Sequence, residues 1–222
     1  MRKMLTTICF ILCFGSLLVP DIGRAQTGDN EFGFYTNQGG RPPSVNIEFD
    51  PLVPFTFYLV LTNSVNHDFN GEGISRPVTH VGGWQAKILF PEPTGQAGGQ
   101  FYPLAISMRA GATDIGIKPD YDVRFAGPGP VIGNAVTLMT VQGFVVDSAP
   151  YEFYLGVTDF PENPGAMSYS DALDPIDTWH GRSVPAYPSS GSFDAPVFSV
   201  NSPGSVVATE NESWGAVKAL YR

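Results

Sequence analysis

An antiparallel β-sandwich is the fold this sequence predicts, and three observations predict it. Apolar residues recur at every second position, Gly and Pro clusters punctuate those runs, and no amphipathic helical repeat lies between them. Within residues 56–62, Phe57, Leu59 and Leu61 share one side of an extended strand, with Thr56, Tyr58, Val60 and Thr62 on the other. Within 84–90, Trp84, Ala86, Ile88 and Phe90 alternate with Gln85, Lys87 and Leu89, and Tyr151, Phe153, Leu155 and Val157 repeat the period. The predicted core therefore contains Phe57, Leu59, Trp84, Ile88, Phe153 and Leu155. Further strands are expected at 31–36, 45–49, 101–108, 122–125, 136–146 and 193–200, with Gly143 marking a bulge or a break. The turn clusters are Gln38 to Pro43, Pro91 to Gly95, Gly127-Pro128-Gly129-Pro130 and Pro161 to Gly165. Residues 161–192 read as a long loop across one end of the sandwich, where binding loops collect.

The composition narrows the function classes. The chain has 222 residues, 21 acidic against 12 basic, and a formal net charge of -9. Neutralising phosphates takes clustered Lys and Arg, so this balance argues against nucleic acid as a partner. With 43% hydrophobic and 15% charged residues, the chain is too apolar to be disordered.

The amino terminus reads as an export signal. Met1, Arg2 and Lys3 form a basic start, residues 5–19 an apolar run, and Pro20 breaks it before Gly23-Arg24-Ala25. Small residues at those positions predict cleavage between Ala25 and Gln26. The run is shorter than the roughly 20 residues that cross a bilayer, so no membrane span is expected after cleavage. Both cysteines, Cys9 and Cys13, fall inside the signal. The exported chain must then rely on its hydrophobic core, and the lack of disulfides fits an exported bacterial protein. The expected organisation is a signal peptide at 1–25, a sandwich domain at 26–210 and a short helical tail at 211–222.

In that tail Ser213 can cap a helix, Glu210 and Glu212 lie at its positive end, and Lys218 and Arg222 at its negative end. Trp214, Val217 and Tyr221 form one stripe. A helix this short is marginal alone, so Trp214, Val217, Lys218, Tyr221 and Arg222 are expected either to dock on the sandwich or to be read by a sorting partner.

The ending Trp214-Gly215-Ala216-Val217-Lys218-Ala219-Leu220-Tyr221-Arg222, the segment Ser189-Ser190-Gly191-Ser192-Phe193-Asp194-Ala195-Pro196-Val197 and the run Ala149-Pro150-Tyr151-Glu152-Phe153-Tyr154-Leu155-Gly156 resemble a group of secreted bacterial proteins with no assigned activity. That resemblance implies export and brings no functional residues. The order of a Tyr58-Leu59-Val60-Leu61 strand, then Gly83-Trp84-Gln85-Ala86, then Val136-Thr137-Leu138-Met139 is similar to cohesin-type and carbohydrate-binding sandwich modules. It implies an immunoglobulin-like or cohesin-like all-β sandwich.

No catalytic signature stands out. His67, His80 and His180 lack a partner at zinc-ligand spacing, no Gly-x-Ser-x-Gly elbow occurs, and no nucleotide-binding glycine loop is present. Asp68-Phe69-Asn70-Gly71-Glu72-Gly73 places oxygens at alternate positions like the start of a calcium loop, but Thr79 stands where the closing acid belongs. Asp68, Asn70 and Glu72 are therefore candidate calcium ligands against a plain polar hairpin turn, and no other cofactor is expected. Asp171, Asp174 and Asp177 form one acidic cluster, Asp120 and Asp122 another; both read as solvated loops unless two acids converge in a cleft. Trp179, with Tyr169 and Tyr187, is the candidate ligand contact. The function expected is non-catalytic, a secreted or cell-surface protein for binding, adhesion or envelope assembly, with a surface protein or a glycan as partner. A carbohydrate-binding module and a carboxylate-based extracellular hydrolase are the alternatives.

Overall fold

The computed structural model describes residues 28–40, 46–91, 101–176 and 182–202. Among them every regular element is a strand: β1 (Glu31–Tyr35), β2 (Asn46–Ile47), β3 (Phe55–Thr62), β4 (Val65–Phe69), β5 (Ile74–Pro77), β6 (His80–Leu89), β7 (Phe101–Met108), β8 (Ala112–Asp114), β9 (Asp120–Pro130), β10 (Ala135–Val145), β11 (Tyr151–Gly156), β12 (Met167–Asp171), β13 (Arg182–Pro188) and β14 (Phe198–Val200). The expected signal and the expected tail helix lie outside the described residues.

Strands β1, β3, β10 and β7 pair in that order as one antiparallel layer. A second layer runs β2, β14, β11, β6, β9, β8. Strand β6 carries β9 along one edge, while β12 and then β11 share the other. From β12 the sheet passes through β13 to β1, so β12 and β13 join the two layers. The pairings β1 with β13 and β14 with β2 are parallel; the rest are antiparallel.

The layers meet through aromatic rings. Phe57 of β3 lies 5.2 Å from Phe153 of β11 and 5.1 Å from Phe198 of β14, centroid to centroid. Phe101 of β7 packs edge-on against Phe153 at 5.1 Å, and Phe32 of β1 against Trp84 of β6 at 6.4 Å. Phe57, Leu59, Trp84, Ile88, Phe153 and Leu155 are all buried, as their alternation predicts.

Strand β10 breaks the simple alternation because its register against β3 slips between Thr137 and Met139. Leu138 is the extra residue, which lets Val136, Leu138, Met139 and Val141 all reach the core. Gly143 does not split the strand; the register against β7 shifts between Gln142 and Gly143, and a Cβ there would overlap the Phe101 ring.

Two expectations need correction. Gly127-Pro128-Gly129-Pro130 is extended rather than a turn: it finishes β9, with Pro130 opposite His80 and Gly129 opposite Val81, beyond a break in the ladder. Residues 161–192 are not one loop, since they contain β12 and β13. The sequence of β12, Met-Ser-Tyr-Ser-Asp, has no alternating apolar pattern because the strand is paired on both edges and all five residues are buried.

Candidate functional site

The Asp68 to Gly73 segment is the turn of the β4–β5 hairpin. Asn70 and Gly71 both have positive φ (57° and 70°), and the Glu72 N–H donates to the Phe69 carbonyl at 3.2 Å. Two consecutive positive φ values are what a tight hairpin turn with right-handed twist demands, and Asn-Gly tolerates them at least cost. The side chains serve that turn. Asp68 Oδ1 accepts the Gly73 N–H at 2.8 Å, and the Asn70 amide donates to Glu72 at 2.9 Å.

The hairpin forms its own two-stranded sheet and is fastened to the body by charge. The Asn66 amide, 2% exposed, donates to Asp171 Oδ2 at 3.1 Å and to Asp174 Oδ2 at 2.8 Å. Asp174 Oδ2 also accepts the Asn70 N–H, and its Oδ1 accepts the Ile176 N–H. Arg76 of β5 reaches Asp171 Oδ2 at 3.3 Å while its guanidinium covers the Phe69 ring. Arg182, at the start of β13, pairs with Asp68. Two acidic stretches about a hundred residues apart are thus brought together. All four oxygens of Asp171 and Asp174 accept hydrogen bonds, and the arrangement locks the hairpin to the turn that follows β12. Burial opposes the charge of Asp174, but the Ile176 N–H, the Asn66 amide, the Asn70 N–H and the Arg182 charge hold its pKa below the usual value.

Tyr169, expected as a surface contact, is 1% exposed. It sits on β12 opposite Trp84 and Val184, and its hydroxyl donates to Asn30 Oδ1 at 2.7 Å. Tyr187 on β13 is partly exposed, and its N–H donates to the Asn30 carbonyl. Trp179, Asp177 and His180 lie outside the described residues, as do Trp214, Val217, Lys218, Tyr221 and Arg222. Asp120 and Asp122 are in ion pairs, Asp120 with Lys87 and Asp122 with Arg124. Among the described residues no three His, Cys, Asp or Glu side chains group closely enough to hold a metal ion.

Sequence reading missed Asn30 and Asn66. Asn30, at φ 59° and 4% exposed, joins β1, β12, β13 and the hairpin, since its Oδ1 also accepts the Val65 N–H at 2.7 Å. Its one sequence signal is an Asn just before a strand, where a left-handed residue is tolerated.

The opposite side of the molecule is of another kind. Strands β3, β10 and β7 contain no Asp, Glu, Lys, Arg or His. The register puts Thr56 beside Gln142, Tyr58 beside Thr140, and Phe144 beside Tyr102 on the outer side of this layer. The Phe144 and Tyr102 rings stack on each other at 5.4 Å. Each spends a face on its neighbour, so they do not make a flat platform.

A scan of protein-family models finds no match. No curated protein matches the sequence. One solved structure, a crystal structure of a CaDoc0917–CaCohA2 cohesin–dockerin complex at pH 5.5, aligns over 78% of this chain and 96% of its own at 9% identity, with a TM-score of 0.38. No described helix is long and apolar enough to cross a membrane.

Proposed function

We propose that this is an exported, non-catalytic β-sandwich protein of immunoglobulin-like or cohesin-like form, acting in adhesion or envelope assembly through the outer side of the β3–β10–β7 layer. One observation carries the reading: in a chain of net charge -9, these three neighbouring strands carry no charge. Charged side chains keep sheet surfaces from sticking, and their absence over a whole layer leaves Thr56, Tyr58, Thr140 and Gln142 as neutral donors, acceptors and contact area. The charges of the β6–β9 side, by contrast, are in ion pairs such as Arg124–Glu162 at 2.6 Å and Lys87–Asp159 at 2.6 Å. A surface protein is the partner class this supports.

The test is cell-surface attachment of the processed protein. Gln142→Lys and Thr140→Lys place charge on the outer side without entering the core. They should abolish attachment while the melting temperature stays unchanged. Attachment at the original level would sink the reading, and attachment removed instead by free glycan would move the partner class to carbohydrate.

A further inference from the structure

The three open ends of the sheet are unequal. Strand β2 has two residues and β8 three, short edges of the sort that give another chain little to pair with. Strand β7 has eight residues, no charge, and no described neighbour on its outer edge. Pro103 and the register shift beside Leu104 blunt its first half and leave Leu104 to Met108 as regular ladder.

That stretch has an apolar row on its inner side. Ile106 stands opposite Val141 and Met108 opposite Met139, both core positions of β10, and Leu104 falls on the same side by alternation. Yet Leu104 is 55% and Ile106 39% exposed, so the facing layer does not extend over them. The row is symmetric about Ile106. An antiparallel copy of the same strand, turned about a two-fold axis at Ile106, sets Ile106 against Ile106 and Leu104 against Met108, apolar facing apolar at each position, with the small Ala105 and Ser107 paired on the other side.

We propose that β7 pairs antiparallel with β7 of a second copy of this chain, joining two four-stranded layers into one continuous eight-stranded sheet. Charge favours a copy over a foreign strand. Two chains of net charge -9 repel each other, and the uncharged β3–β10–β7 layer is a border across which they can meet without opposing like charges. Isologous contact also closes on itself, so the assembly stops at two. The proposal rests on the same neutral layer as the binding reading and makes the protein bivalent, with two outer faces side by side.

Analytical ultracentrifugation of the processed protein should show a concentration-dependent dimer. Ile106→Lys puts two ammonium groups opposite each other at the axis and should weaken the dimer by about tenfold or more, with an unchanged melting temperature. Because the chain from Gln26 onward has no cysteine, Ile106→Cys should give a disulfide-linked dimer on oxidation, and Thr113→Cys on the β8 edge should not. A monomer at all concentrations, a dimer indifferent to Ile106→Lys, or equal cross-linking at Thr113 overturns the proposal. Loss of attachment in Gln142→Lys with the dimer intact tests the binding reading separately, so either can fail alone.

Discussion

The side-chain amide of Asn66 bonds to the carboxylate of Asp171 at 3.1 Å across 105 residues of sequence, and neither group reaches the solvent to any extent. A neutral amide between buried acids satisfies oxygens that would otherwise be desolvated without a donor.

Asn66→Ala is therefore expected to destabilise the protein by about 2–4 kcal/mol, since it leaves two buried carboxylates short of a hydrogen bond. Limited proteolysis should then cut first between Phe69 and Gly73, at the freed hairpin turn. Urea unfolding measures the loss, and a change within error would mean that the hairpin is held elsewhere.

Acid should loosen the same junction. Asp174 has a lowered pKa in the fold, so its contribution is complete above the unfolded value of about 3.9 and disappears as the pH falls through the folded value. Thermal melting at a series of pH values should show stability declining below about pH 4. Asp174→Asn, which cannot titrate, should flatten part of that decline.

Gly143→Ala is expected to cost about 1–3 kcal/mol, because the added methyl group meets the Phe101 ring and the Tyr102 carbonyl. Phe101 contacts Phe55, Phe57 and Phe153, so it has little room to retreat. A Gly143→Ala, Phe101→Leu double variant should recover part of the loss in a melting experiment.

At high pH the tyrosines set the limit. Burial, with the Asp114 charge adding to it, pushes Tyr121 up to about 12, and Tyr169 is raised further by burial and Asp171. Groups whose folded pKa lies above the unfolded value stabilise fully below about 10 and lose that contribution as the pH rises beyond it. Spectroscopic titration should show these tyrosines ionising only with unfolding, and Tyr121→Phe should shift the alkaline transition upward.

Alternation made the core strands legible. Phe57, Leu59, Trp84, Ile88, Phe153 and Leu155 each lie on a strand with one face toward the core, where period two is enforced by water on the other side. Strand β12 was illegible for the converse reason. Its Ser168, Ser170 and Asp171 are buried by neighbouring strands and satisfied by partners such as Asn66, so no polar-out signal remains. The Asp68 to Gly73 turn could be read as local chemistry, because Asn70-Gly71 acts within four residues. The Asp171 and Asp174 cluster looked solvated because its donors come from Asn66 and Arg76, and sequence distance hides such pairs.

Strand β1 acquires its neighbours from opposite ends of the chain. Strand β3 follows it within a few dozen residues, but β13, the strand that ties it to the second layer, ends at Pro188. A growing chain released at any length short of Tyr187 holds Phe32 and Phe34 without the wall that seals them. The last strands are thus a latch on the first, and the molecule matures as a whole rather than stepwise. Such a chain folds slowly, as contacts of long sequence separation require, and stays threadable until its synthesis is nearly finished.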